Sequence, residues 1–134
     1  MTDIINTKTG WIFRNSNSAV YIIPEAIKEF NKNIKGDGNL ERHYYSLINS
    51  WLRSDVHPPR NICKKIKAGK WELYELKKSG TQVRLLGYYD KSDFFVLKCI
   101  QKKENRLKIE DIQTLKNRRQ NFNTEEINWE VLNE

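Results

Sequence analysis

Three strand-like stretches follow one another in the second half of the chain with very little sequence between them. The segments WELYELKK, TQVRLLGYY and DFFVLKCIQ are separated only by SG and by DKS. Connections this short join antiparallel neighbours, because a parallel crossover needs a dozen or more residues. This part of the sequence therefore predicts a three-strand antiparallel meander over residues 71–101.

The first half of the chain has a different, mostly helical pattern. AVYII at 19–23 is a short strand candidate, and Pro24 directly after it is a favoured first residue of a helix. Two runs of apolar residues at helical spacing follow, separated by the turn sequence GDGN at 36–39. They comprise Ile27, Phe30 and Ile34, then Leu40, Tyr44, Leu47, Ile48 and Trp51.

The order of these elements predicts a single α+β domain over residues 1–134. We expect a small antiparallel sheet made of the N-terminal strand and the meander, with the two N-terminal helices packed on one face. A short C-terminal helix is predicted from Ile109, Ile112 and Leu115. The polar residues 1–18 form an arm that is expected to be partly mobile, and residues 121–134 form an acidic tail.

Charge is distributed unevenly along the chain. Residues 60–119 contain seventeen Lys or Arg and seven Asp or Glu, whereas the last fifteen residues contain four Glu and no base. A basic body of this kind is typical of proteins that bind a phosphate-rich partner, although a solvated lysine-rich surface is the alternative. We hypothesise that the acidic tail folds back over this basic surface; the alternative is a solvated terminal helix docked by Ile127 and Val131.

Several classes of protein are disfavoured by the sequence. Cys63, Cys99, His43 and His57 do not occur at metal-ligand spacing, so neither a metal nor another cofactor is expected. No apolar run approaches the roughly 20 residues that span a bilayer, and the N-terminus lacks the apolar segment of a signal peptide. We expect a soluble, cytoplasmic protein.

Strict alternation along the strands predicts which side chains share a face. Arg84, Leu86 and Tyr88 would lie on one face of the second strand of the meander. On the third strand, Phe94, Val96, Lys98 and Ile100 would lie opposite Phe95, Leu97 and Cys99. We expect a concave, phosphate-binding face that joins Lys77, Arg84 and Lys98, with Lys102 or Lys103 at its end.

The same region resembles a known family. The resemblance rests on the order of Tyr74-Glu75-Leu76-Lys77, Arg84, Val96 to Ile100 running into Lys102-Lys103, Ile112, and Arg118 or Arg119. Over residues 20–119 this order is similar to that of the RelE/HigB toxin superfamily, nearest its phage-derived HigB-like branch. Lys77 stands where that branch usually has arginine, and Glu104 stands where it has threonine.

The resemblance implies a fold, an activity and a partner. The fold is a small RelE-like domain. The activity is that of a type II toxin–antitoxin toxin, a ribosome-dependent endoribonuclease that cuts messenger RNA during translation without a metal and arrests growth. The partner is a cognate antitoxin, often of the helix-turn-helix type. The alternative is a module of the same fold that grips nucleic acid or protein without cutting.

Metal-free cleavage of RNA needs a base, an acid and cations that stabilise the extra charge on phosphorus. Residues 60–119 contain no histidine, so Lys, Arg and Tyr would have to serve. We assign catalytic roles to Lys77, Arg84, Lys102 and Lys103: Arg84 clamps the phosphate with help from Lys77, and Lys102 or Lys103 stabilises the transition state or acts as base. The substrate-binding candidates are Lys98, Arg106, Tyr74, Tyr88, Arg118 and Arg119.

Each assignment has a structural alternative. Arg84 would instead pair with Glu75 across the hairpin. Tyr74 and Tyr88 would be core residues rather than stacking platforms. The two lysines at 102 and 103 would be a solvated strand end.

Overall fold

The computed structural model describes residues 3–7, 10–102 and 106–123, with no side-chain detail before Gly10. Within these ranges the chain forms a sheet and three helices, which confirms the α+β class. In chain order the elements are β1 (Asp3–Thr7), β2 (Gly10–Arg14), β3 (Ala19–Ile22), α1 (Pro24–Asn33), α2 (Gly38–Arg53), β4 (Cys63–Lys65), β5 (Tyr74–Leu76), β6 (Val83–Asp90), β7 (Asp93–Gln101) and α3 (Ile109–Asn121).

The sheet has seven strands among the described residues, in the order β1-β2-β3-β7-β6-β5-β4. The three consecutive strands β5, β6 and β7 pair antiparallel. The prediction of a wholly antiparallel sheet is wrong, because β3 pairs parallel with β7 through Ile22 and Val96. A parallel pair is possible here because both N-terminal helices lie in the connection between the two strands.

The polar arm of the sequence contributes strands to the sheet. β1 and β2 form an antiparallel hairpin, and β2 in turn pairs with β3 through Phe13 and Val20. All four residues of β3 are buried. This strand therefore lies inside the sheet, between β2 and β7, rather than at its edge.

The two N-terminal helices begin with recognisable signals. Pro24 starts α1 because its fixed φ suits the first turn, where its missing N–H has no partner to lose. The Asp37 carboxylate caps α2 by accepting hydrogen bonds from the backbone N–H groups of Asn39 and Leu40, at 3.0 and 3.2 Å. Buried residues at helical spacing on α2 then pack into the core: Tyr44, Leu47, Ile48, Trp51 and Leu52.

Aromatic contacts show that both faces of the sheet are covered. Trp51 of α2 packs on Phe94 and Tyr89, with ring centroids 5.1 and 5.9 Å apart. The neighbouring residues of those two strands point to the opposite face. There Tyr88 and Phe95 pack with Phe122, which directly follows α3.

The C-terminal helix differs in part from its prediction. Leu115 is buried and Ile112 is half-buried, as the helical spacing requires. Ile109 is 83% exposed, so the apolar side of α3 begins one turn later than its sequence pattern indicates. None of the described helices combines the length and the apolarity needed to cross a membrane.

A β-bulge reverses the predicted orientation of one lysine. Leu86 pairs with Lys98 and Gly87 pairs with Val96, so Leu97 is an extra residue on β7. The prediction that Lys98 shares a face with Phe94 and Val96 is therefore wrong. Lys98 lies instead on the face of its partner Leu86, which is also the face of Arg84 and Tyr88.

Gly87 permits the bulge because the two backbones approach closely at this position. A Cβ atom on Gly87 would lie 1.8 Å from the carbonyl oxygen of Phe95, which no ordinary contact allows. We expect Gly87→Ala to lower the free energy of unfolding by about 1–3 kcal/mol, as measured by urea denaturation.

Gly38→Ala is the matched control for this prediction. Gly38 lies in the first turn of α2, and a Cβ there would meet nothing within 4 Å. The control should be neutral or stabilising by about 0.4–1 kcal/mol. Equal stability of the two variants would contradict the proposed close approach.

Candidate functional site

A basic cleft lies beside the end of β7 and the segment that leads into α3. It has a volume of about 380 Å³, and its described charged residues are Lys98, Lys102, Arg106, Lys108 and Asp111. Four cations and one carboxylate give this lining a formal charge of +3. We call it the basic cleft; it brings together three of the predicted site residues and is suited to a phosphate group.

Arg84 and Lys102 meet at a buried carboxylate next to this cleft. Glu75 Oε2 lies 3.7 Å from Arg84 Nε and 3.5 Å from Lys102 Nζ, and the Glu75 side chain is only 6% exposed. Arg84 Nη1 also donates hydrogen bonds to the carbonyl oxygens of Thr81 and Val83. The cross-hairpin pairing of Arg84 with Glu75 is thus present, and Lys102 joins it.

The Glu75 pairing is electrostatic rather than hydrogen-bonded. Neither Glu75 Oε2 nor Arg84 Nε has a hydrogen-bond partner among the described residues, although both atoms are buried. Among the described residues, the charge of Glu75 Oε2 is therefore balanced by Arg84 and Lys102, at 3.7 and 3.5 Å. The backbone N–H of Lys102, in contrast, is fixed by a 2.7 Å hydrogen bond to Gln82 O.

Glu29 of α1 organises a second set of cations. Its carboxylate accepts hydrogen bonds from Lys98 Nζ at 2.7 Å and from Arg118 Nη1 at 2.8 Å. Asp111 lies 3.7 Å from the same lysine. Lys98 and Arg118, both predicted to bind substrate, therefore connect α1, β7 and α3 as part of an ion-pair network.

The position of Glu29 follows from the backbone. β3 pairs with β7 only as far as Val96, so the next residues of β7 need other partners on that side. Glu29 Oε1 accepts from the backbone N–H of Cys99 at 3.1 Å, and Arg118 Nη1 donates to the carbonyl of Leu97 at 2.8 Å. Sequence reasoning missed Glu29 because nothing in its local pattern indicates partners on β7 and α3.

A second cleft, of about 790 Å³, lies at the other end of β6. Its described lining contains the predicted residues Tyr74, Tyr88 and Arg119, together with Trp71 and seven others. We call it the aromatic cleft. The two clefts share no described lining residue, so the predicted substrate-binding residues are divided: Lys98 and Arg106 line the basic cleft, Tyr74, Tyr88 and Arg119 line the aromatic cleft, and Arg118 lines neither.

Lys77 and Lys103, two of the predicted catalytic residues, are not among the described lining residues of the clefts. Lys77 directly follows β5, where its backbone N–H donates to Ile62 O at 2.8 Å, and it is absent from the described lining of both clefts. Lys103 lies outside the described residues, as does most of the acidic tail. The hypothesis about the tail and the role of Lys103 stay predictions.

The cysteines are in poor surroundings for catalysis. Burial raises the pKa of Cys99 strongly, and that of Cys63 to about 11, so both remain thiols at neutral pH. Among the described residues, no group of three or more His, Cys, Asp or Glu side chains is arranged to hold a metal ion.

Glu29→Gln should destabilise the protein, because the amide loses the charge that pairs with Lys98 and Arg118. With a side chain only 17% exposed, we expect a loss of roughly 1–3 kcal/mol in the free energy of unfolding. Urea denaturation at neutral pH measures it. Glu25→Gln, on the exposed surface of the same helix, should cost only about 0.5 kcal/mol; an equal loss would show that the network adds nothing.

Comparison with known proteins gives a match at the level of family models. The model described as "Phage derived protein Gp49-like (DUF891)" matches residues 27–120. The match runs from within α1 through most of α3. It includes the Glu29 network, the described lining of the basic cleft, and that of the aromatic cleft except Phe122 and Asn123. Comparisons with curated proteins and with solved structures each find no match.

Proposed function

The chain belongs to the Gp49-like family of phage-derived proteins, which is related to the RelE/HigB-like toxins, and from this premise we propose that it is a toxin that cuts RNA. In this proposal it is the toxin of a type II toxin–antitoxin system. It enters the ribosome as an endoribonuclease and cleaves messenger RNA during translation without a metal.

The basic cleft is the observation that carries the proposal. Arg106 and Lys108 are exposed at its rim, where they are able to attract a phosphodiester backbone. Lys102 lies deeper, with a side chain only 10% exposed. A phosphate drawn in by the rim would reach a lysine in surroundings of low dielectric, where its charge acts more strongly than in water.

Electrostatic stabilisation is the chemical role that this geometry supports best. Glu75 orients Arg84 and Lys102, so little reorganisation is needed when negative charge develops on the phosphorus. Arginine grips phosphate through a planar fork, whereas lysine acts as a point charge. In the proposed scheme Arg84 clamps the phosphate, Lys102 stabilises the transition state, and Lys103 is the candidate base.

A second candidate function is binding without cleavage. Lys98, Lys102 and Arg84 each lie near a carboxylate, so the described cations already have partners that fix them structurally. The same residues would hold a phosphate backbone without cutting it. The two functions differ in whether RNA is broken.

We also propose a cognate antitoxin as partner. An exposed basic surface that grips RNA needs to be blocked in the cell that makes it, and an acidic protein segment is electrostatically complementary to it. The antitoxin would be of the helix-turn-helix type found with related toxins.

Inducible expression of the chain, with mapping of messenger cut sites during growth arrest, tests the proposed activity. Lys102→Ala should weaken the cuts strongly, because losing one transition-state donor typically costs about 10²–10³-fold in rate. Arg106→Ala should weaken them less, because this rim residue only attracts the phosphate backbone. Lys65→Ala is the matched control: Lys65 is an exposed lysine of β4, and it is not part of the described lining of either cleft. It should cut like wild type.

The outcomes separate the two candidate functions. Growth arrest with new cuts that depend on Lys102 supports the ribonuclease. Normal growth without cuts, together with RNA binding by the purified chain, would instead establish the binding module. Cuts that persist in the Lys102 and Arg106 variants would remove the basic cleft from the mechanism.

A further inference from the structure

The aromatic cleft lies where β6 extends beyond the end of β5. β5 pairs with β6 only as far as Tyr74 and Gly87, whereas β6 continues to Asp90. The last three residues of β6 therefore have no partner in β5. Trp71 lies on one side of this opening, and Arg119, near the end of α3, lies on the other.

Aromatic rings form much of the wall of this cleft. Tyr74 and Tyr89 pack with their centroids 4.7 Å apart and their planes at 53°, and both are partly exposed. Trp71 is also partly exposed. Tyr88, in contrast, is buried beneath the guanidinium of Arg119, which lies 3.9 Å from its ring centroid. The rings are thus held by packing while some of their surface stays accessible, as a stacking platform requires.

The charges of this cleft differ from those of the basic cleft. Its described lining has two cations, Lys70 and Arg119, and two carboxylates, Glu72 and Asp90, so it is formally neutral. Partial burial and a hydrogen bond with Tyr89 raise the pKa of Tyr74 to about 12, so its hydroxyl keeps its proton at neutral pH. Carboxylates repel phosphate, but they accept hydrogen bonds from the exocyclic amino groups of adenine, cytosine and guanine. The imino group of uracil is instead flanked by two carbonyl oxygens, which a carboxylate repels.

We propose that the aromatic cleft binds one unpaired nucleobase that carries an exocyclic amino group: adenine, cytosine or guanine rather than uracil. The base would stack against the exposed rings, and Glu72 or Asp90 would accept from its amino group. This inference rests on the proposed function in one respect, namely that single-stranded RNA is the ligand.

The spacing of the two clefts suits one RNA strand. Arg84 and Tyr88 lie on the same face of β6, four residues and roughly 13 Å apart. A backbone held near Arg84 and the basic cleft would therefore reach Tyr88 and Arg119 within a few nucleotides, and the strand would then turn round the open edge of β6 to meet the exposed rings of Tyr74 and Tyr89 on the opposite face. The basic cleft would supply affinity for any sequence, and the aromatic cleft would supply a preference for certain bases.

A peptide strand fits this opening less well. Adding a β-strand to a sheet needs an edge long enough for several main-chain hydrogen bonds, and strands usually run about five or six residues. Only three residues of β6 are open here. The exposed rings also offer a surface on which a flat base can stack, whereas a peptide backbone has no ring to stack there.

Binding of short oligonucleotides to the purified full chain tests the inference. The probes are 2′-O-methyl decamers, which have no free 2′-hydroxyl and so are not cleaved through it. One is all cytosine, one is all uracil, and one is a cytosine decamer with abasic sites at alternate positions. The wild-type chain should bind the cytosine decamer roughly tenfold more tightly than either of the others.

Variants of the cleft locate this preference. Trp71→Leu keeps apolar bulk but removes a ring, and it should bind the three probes about equally. Arg119→Gln removes the cation that covers Tyr88 in the wall of the cleft, and it should weaken the preference. The matched controls are Tyr45→Leu and Arg42→Gln, in a cleft on α2 that also joins a tyrosine to arginines. The controls should keep the full preference, and circular dichroism checks the fold of all four variants.

The result that overturns the inference is equal affinity of the wild-type chain for all three probes, or a preference that survives in the Trp71 and Arg119 variants. Failure of the proposed ribonuclease is distinguishable from this result. A chain that makes no cuts in cells but discriminates the probes keeps the base site, whereas a chain that cuts without discriminating loses only the base site.

Discussion

The carboxylate of Glu29 resolves a problem that the topology creates. β3 pairs with β7 only as far as Val96, so the backbone N–H and C=O groups of the later β7 residues have no strand partner on that side. Buried backbone groups without a hydrogen bond are costly. Glu29 and Arg118 meet that need from two different helices while pairing with each other. The arrangement of α1, β7 and α3, and with it the shape of the basic cleft, depends on this contact.

The two clefts lie at opposite ends of the β6–β7 pair and differ in charge and composition. Towards one end of β6 and β7 the lining is strongly cationic, and towards the other it is aromatic and formally neutral. Both lie close to α3, which contributes Asp111 to the first and Arg119 to the second. A rearrangement of this one helix would alter both clefts together.

The sequence predicted what local patterns determine. The helices that contain Phe30 and Trp51 follow from the helical spacing of their apolar residues. Their first residues are determined locally, by Pro24 in α1 and by the Asp37 cap in α2. The parallel neighbour of β3 was not predictable in this way, because it depends on a partner far along the chain. Gly87 within a strand pattern is a local sign of a possible bulge, but the apolar and aromatic residues after it suit a regular strand equally well, so the bulge was not predicted.

The candidate site was predictable in its content but not in its grouping. The sequence predicted lysine and arginine near the end of the third meander strand, and Lys98, Lys102 and Arg106 line one cleft there; their roles stay predictions. Their carboxylate partners come from other elements, and composition says nothing about such pairings.

The extra residue on β7, Leu97, also determines where a charge lies on the sheet. The number of residues between Lys98 and Val96 decides which face of the sheet Lys98 occupies. Inserting or deleting one residue there would move the charge to the other face without any substitution of the lysine.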